Sequence, residues 1–247
     1  MLIIWIIIFS LLGSIGSIIT ASIFLLFKEK IQNTLIPCLI SYASGTLLGA
    51  ALLGMITQAV NRIDAFSVMA TVLGGIILFF VLEKFVIWRH CHEPECDIHK
   101  SSGPIILIGD AFHNLIDGIV VATGFLVSFP LGITIGLSVI AHEIPQEVGD
   151  FGILLNSGYS KKKAFLLNTL SGLSTLFGAI FAYLALDFAQ IAIPYVMAVS
   201  AASFIYISLA DLLPQLHEKR KISASIRQFI LICAGIGTIA LILYFHP

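Results

Sequence analysis

Charge is what this chain has least of. Only 11% of its 247 residues are Asp, Glu, Lys or Arg, where a water-soluble domain of that size carries about a quarter. That scarcity excludes an ordinary soluble globule, and a net charge of −1 leaves no basic surface for nucleic acid. Cysteine is scarce too. Cys38 and Cys233 sit inside apolar runs while Cys91 and Cys96 share one short segment, so no disulfide framework is expected and that segment suits a reducing compartment. No basic stretch precedes the first apolar run, which extends from Leu2 to Phe27 without a charge. Signal-peptide cores are only about 7–15 residues long, so this run is expected to cross a bilayer.

Apolar residues are what the chain has in excess, at 58%. Runs long enough to cross a ~30 Å hydrocarbon core fall at roughly 2–27, 34–60, 66–88, 102–128, 131–157, 162–187, 190–214 and 224–246. The expected fold is all-α: one bundle of eight transmembrane helices spanning 1–247, with short connections except at 89–101. Twelve of the thirteen Lys and Arg residues lie in or beside the odd-numbered connections, Arg62 being the exception. Basic residues favour the cytoplasmic side, so those connections should be cytoplasmic and both termini extracytoplasmic, in a multi-pass protein of the cell membrane. Small residues such as Gly45, Gly49, Gly172 and Gly178 allow helices to approach closely. They would permit a homodimer without requiring one.

Residues 101–160 contain no lysine or arginine, yet hold Asp110, His113, Asp117, His142, Glu143, Glu147 and Asp150 within two expected spans. A carboxylate at mid-membrane costs roughly 2.5–3.5 kcal/mol on the most lenient scale. Five of them, ionised and unpaired, would cost on the order of 10 kcal/mol. Protonation, water or a bound cation must offset this, and two imidazoles among the carboxylates favour a transition metal over magnesium or calcium. On a helix His113 and Asp117 are i, i+4, with Asp110 and Asn114 on the same face. His142 and Gln146 are likewise i, i+4, beside Glu143, Glu147 and Asp150. A turn at Phe129-Pro130-Leu131-Gly132 would pair 113 with 146 and 117 with 142. Each histidine is then about 16 Å into its span, at the depth where carriers hold their substrates. Pro145 is expected to kink its helix and free a carbonyl beside the cluster. Asn168, Ser171 and Ser200, taken singly, read as helix-packing hydrogen-bond groups.

The motifs carry a family resemblance. His113-Asn114-Leu115-Ile116-Asp117-Gly118 and His142-Glu143-Ile144-Pro145-Gln146-Glu147-Val148-Gly149-Asp150-Phe151 resemble the paired H-N-x-x-D-G and H-E-x-P-H-E-x-G-D segments of the ZIP (Zrt/Irt-like) family of divalent metal transporters. Ser44–Gly49 and Phe204–Pro214 resemble family segments as well. The resemblance implies an eight-helix bundle with a two-metal centre between helices four and five. Its transport site would use His113, Asp117, His142 and Gln146, and a second site Asn114, Asp117 and Glu143, with Asp117 bridging and Asn168 nearby. The implied cargo is Zn2+, with Fe2+, Mn2+ and Cd2+ as alternatives, and no metal is expected as a resident cofactor. Gln146 departs from the His or Glu of many relatives. An amide is a weaker ligand, so affinity should fall or selectivity shift toward iron or manganese. Ala50 and Gly54 stand where some relatives place Asp and His.

The segment 89–101 offers His90, Cys91, His92, Cys96 and His99, soft and borderline ligands able to receive metal after release. Their spacing matches no zinc-finger pattern, and a solvated polar loop is the plainer reading. Asp211 reads as an exit-path residue or a helix-end group. Two other functions fit part of the pattern. His142-Glu143-x-x-Gln146 is one residue from the H-E-x-x-H helix of zinc proteases, which would make an intramembrane zinc-dependent hydrolase. Buried carboxylates also serve as proton relays, which would make a proton-coupled carrier of a non-metal solute. The chain is not expected to be an enzyme.

Overall fold

A backbone placed in hydrocarbon has no water to bond, so each apolar run must satisfy its N–H and C=O groups internally. In the computed structural model, which describes residues 2–88, 98–188, 190–216 and 222–245, they do so as helices, and the described residues contain no strand. We number them α1 (Leu2–Phe24) and α2 (Glu29–Val60), α3 (Ala65–Trp88), α4 (Ile98–Val127), α5 (Phe129–Asn156) and α6 (Lys161–Phe188), α7 (Gln190–Leu216) and α8 (Ile222–Phe245). By length and hydropathy, seven of the described helices could cross a membrane. α5 falls outside that set although its 28 residues would reach about 42 Å. Its polar residues His142, Glu143, Gln146, Glu147 and Asp150 are what lower its hydropathy.

Helix ends depart from the apolar boundaries where capping decides them. α2 starts at Glu29 rather than 34, because the mainly polar stretch Glu29, Lys30, Gln32 and Asn33 continues the helix beyond the apolar run. α4 starts at Ile98, so 98–101, counted in the sequence as loop, are helical. Asp64 caps α3, its Oδ1 accepting from the Ser67 N–H at 2.9 Å, and the Ser67 hydroxyl and N–H hold this exposed carboxyl below its ordinary pKa. α5 ends in a left-handed Gly158 (φ 86°), whose N–H donates to Leu155 O at 3.0 Å. A side chain there would strain the backbone.

The turn between α4 and α5 is the main correction. It is the single residue Ser128, not 129–132: Ser128 is extended, and its hydroxyl accepts from the Leu131 N–H. Pro130 falls in the first helical turn, where its missing N–H costs nothing and its fixed φ suits the helix. Pro145 does not interrupt α5, nor Pro37 α2.

α4 packs most extensively on α6, and α2 on α8. At Gly118 an added Cβ would strike the Thr175 carbonyl oxygen, and at Gly178 that of Leu115, so these glycines let α4 and α6 approach backbone to backbone. Ser171 and Ser174 stitch the same pair, donating to Leu107 O at 3.0 Å and Ala111 O at 2.6 Å. Most of α2 is buried, whereas α3 and α8 turn most of their apolar surface outward, as lipid-facing helices do. π-helical turns at Leu12–Gly16, Ala50–Ile56 and Ile207–Leu212 widen α1, α2 and α7.

Candidate metal centre

The one-residue turn fixes which side chains of α4 and α5 meet. Pivoting about Ser128 pairs 113 with 143 and 110 with 146, one turn away from the pairing a 129–132 turn would give. His113 Nε2 accordingly lies 3.4 Å from Glu143 Oε1, and Gln146 Nε2 reaches Asp110 Oδ1 at 3.5 Å. Asp117 still meets His142, with Oδ2 to Nε2 at 3.0 Å.

Four ligand atoms converge as a result. The two Nε2 atoms are 3.2 Å apart, His113 Nε2 is 3.8 Å from Asp117 Oδ2, and His142 Nε2 is 3.7 Å from Glu143 Oε1. In a tetrahedral zinc site with bonds near 2.0–2.1 Å, neighbouring donors stand about 3.3 Å apart. The separations here, 3.0 to 3.8 Å, bracket that value on five of six edges. Asp117, His142 and Glu143 are fully buried, while 19% of the His113 side chain remains exposed. His142 Nδ1 lies 2.9 Å from Ser138 O. A carbonyl only accepts, so Nδ1 carries the proton and Nε2 presents its lone pair to the cluster, as metal-binding histidines do.

The buried carboxylates are short of donors: both oxygens of Asp117, Glu143 and Glu147 and Oδ2 of Asp110 lack a hydrogen-bond partner. A cation among them would satisfy them together. His113, Asp117, His142 and Glu143 form one potential metal-holding group, and Asp110, Glu143 and Glu147 a second that shares Glu143. Of the ligands implied by resemblance, Gln146 is turned to Asp110. Asn114 is fully buried; its Nδ2 donates to Asp110 Oδ1 at 2.8 Å, and its Oδ1 accepts from the Thr175 hydroxyl at 2.7 Å. Asn168 is fully buried beside Glu147. Asp150 is half-buried, within electrostatic reach of Asp110 and Glu143.

His90, Cys91, His92 and Cys96 lie outside the described residues, and His99 falls in the first turn of α4. Asp211 is exposed in the π-helical turn of α7. Three contributors went unread in the sequence: Ser138, whose carbonyl orients His142; Thr175, which engages Asn114; and Phe204, whose ring centroid lies 5.9 Å from that of His142. The first had a faint signal, since it precedes His142 by one helical turn. The other two come from α6 and α7, and nothing local announces them.

A family model described as "ZIP Zinc transporter" matches residues 89–243. The chain belongs to the ZIP family. Its relatives include a protein named zinc transporter ZIP13 from Pongo abelii, 31% identical over 82% of this chain and 65% of its own length. Another is named zinc transporter zipt-7.1, from Caenorhabditis briggsae, 27% identical over 93% and 77%. Human zinc transporter ZIP4 is 38% identical over 47% of this chain and 18% of its own length. The chain thus spans just under two thirds of the first of these relatives. With seven helices long and apolar enough to cross a membrane, it is a multi-pass membrane protein.

Proposed function

We propose that this chain carries divalent transition-metal ions, zinc foremost, across the bilayer through the site between α4 and α5. One observation supports this above the others: two imidazole nitrogens and two carboxylate oxygens stand at the spacing of a tetrahedral zinc shell. That donor set is borderline and suits zinc, with iron, manganese and cadmium as further cargo. The names of the relatives support the same reading.

Each step follows from the site's own residues. An ion entering at His113 exchanges water for His142, Asp117 and Glu143, and its charge offsets the carboxylates that burial would otherwise destabilise. The basic residues favour a cytoplasmic location for the ends of α4 and α5 at 98 and 156, and import into the cytoplasm is the direction that the family resemblance implies. Rocking of the α4–α5 pair against the remaining helices, which the π-helical turns of α1, α2 and α7 would accommodate, opens the site to each side in turn. A hydrolase reading fares worse. Glu143 lies among the ligand atoms rather than apart from them as a base, and Gln146 supplies no second imidazole.

The test is uptake of zinc, iron, manganese and cadmium into proteoliposomes. Saturable uptake with zinc preferred is expected, and Gln146→His, which adds an imidazole beside Asp110, should move the ranking further toward zinc. No uptake of any of the four would overturn the proposal, and channel-like conductance would overturn alternating access.

A further inference from the structure

A threonine hydroxyl inside a helix commonly donates to the carbonyl one turn back, as Thr123 does to Ile119 O at 2.7 Å and Thr169 to Phe165 O at 2.8 Å. Thr175 does not. Its hydroxyl donates across to α4, to Asn114 Oδ1 at 2.7 Å, and the Ser171 carbonyl one turn back accepts from the Ser174 hydroxyl instead. Thr175 and Asn114 are both buried.

The direction of this bond is fixed at its far end. Asn114 Nδ2 lies 3.1 Å from the backbone carbonyl oxygen of Asp110 and 2.8 Å from Asp110 Oδ1. A carbonyl only accepts, so that end of the amide carries the NH2 group and the end facing Thr175 is the oxygen. From α5, Gln146 Nε2 reaches the same Asp110 Oδ1 at 3.5 Å. Thr175, Asn114, Asp110 and Gln146 thus form a brace across three helices, beside the four converging ligand atoms. Its anchor on α6 is held firmly. A Cβ at Gly118, one turn beyond Asn114, would strike the Thr175 carbonyl oxygen, and Ser174 donates to Ala111 O at 2.6 Å.

The brace occupies two amides next to an ion site. Asn114 adjoins His113 in sequence, and Gln146 follows His142 by one turn. Amide oxygens are neutral, hard ligands that suit manganese and calcium, whereas imidazole suits zinc. We infer that Thr175 is a positioning residue for metal selectivity: through Asn114 and Asp110, its hydroxyl holds the Asn114 and Gln146 amides away from the ion. The shell is thereby left to two imidazoles and two carboxylates. This rests on the reading of His113, Asp117, His142 and Glu143 as that shell. Without the hydroxyl, the Asn114 oxygen is buried with no donor and turns to the ion, and Asp110, no longer steadied, releases Gln146 as well.

The experiment measures Zn2+ and Mn2+ affinity of the full chain in nanodiscs by calorimetry. Thr175→Val keeps the shape and removes the hydroxyl. It should weaken zinc by the roughly 10–100-fold expected of a partner outside the ligand shell and manganese less, so that the zinc-to-manganese ratio falls. Thr175→Ser keeps the hydroxyl and should restore the ratio. In an Asn114→Ala background Thr175→Val should change the ratio no further, because nothing remains for the hydroxyl to hold. A general loosening of α6 would weaken both metals alike in either background. Thr175→Ala makes the same comparison if the Thr175→Val protein does not fold. An unchanged ratio without the hydroxyl, a Thr175→Ser protein as impaired as Thr175→Val, or the full loss repeated in the Asn114→Ala background would each overturn the inference. If Asp117→Ala binds zinc as tightly as the wild type, the reading of the shell fails and takes this inference with it. If Asp117→Ala loses zinc while Thr175→Val keeps the ratio, this inference fails alone.

Discussion

Glu143 and Gln146 lie on one face of α5, and spacing alone does not choose between them as partners of His113. The choice belongs to the turn: with Ser128 as the only non-helical residue, His113 meets Glu143 at 3.4 Å and Gln146 meets Asp110. Glu143→Gln should therefore weaken zinc binding, measured by calorimetry on reconstituted protein, by more than the roughly 10–100-fold typical of an outer-shell change. Gln146→Ala should stay within or below that range, and equal losses would restore Gln146 as a direct ligand. The residue types of the site were legible because ionisable groups are so costly in hydrocarbon that seven of them on two spans demand a common purpose. Their partners were not. Phe204 on His142 and Thr175 on Asn114 are contacts between helices far apart in sequence.

At the scale of elements, the apolar runs were legible as helices because lipid leaves the backbone no alternative. Their ends were less so, since Glu29 and Ile98 begin helices in polar sequence that hydropathy reads as loop. The Phe-Pro-Leu-Gly stretch signals a turn, but proline is equally at home in a first helical turn, and the Ser128 cap settles which applies. The π-helical turns carry no sequence signature. The contact between α4 and α6 depends on Gly118 and Gly178, each facing a backbone carbonyl that cannot move aside. Gly178→Val should cost at least the 1–3 kcal/mol typical of overpacking and lower the thermal midpoint of the purified protein. A substitution at Gly74, where an added Cβ meets nothing within 4 Å, should leave it nearly unchanged. Equal midpoints would mean that the two helices do not pack as described.

For the whole molecule, orientation rests on the distribution of thirteen basic residues, a preference set during insertion rather than by contacts within the fold. It is testable with single cysteines in a background lacking the four native ones. In intact cells an impermeant thiol reagent should label Arg62→Cys directly and Lys162→Cys only after permeabilisation; the reverse pattern would overturn the proposed orientation. The central claim, that the cluster between α4 and α5 carries metal across the bilayer, meets its most direct test in zinc uptake by proteoliposomes containing wild-type or Asp117→Ala protein. Both should be reconstituted at matched density and shown to share a thermal midpoint. Asp117 contributes a buried carboxylate oxygen 3.0 Å from His142 Nε2, and its loss leaves a cation there without an adequate counter-charge. Saturable uptake is expected of the wild type and background uptake of Asp117→Ala. Equal uptake by the two proteins would contradict it.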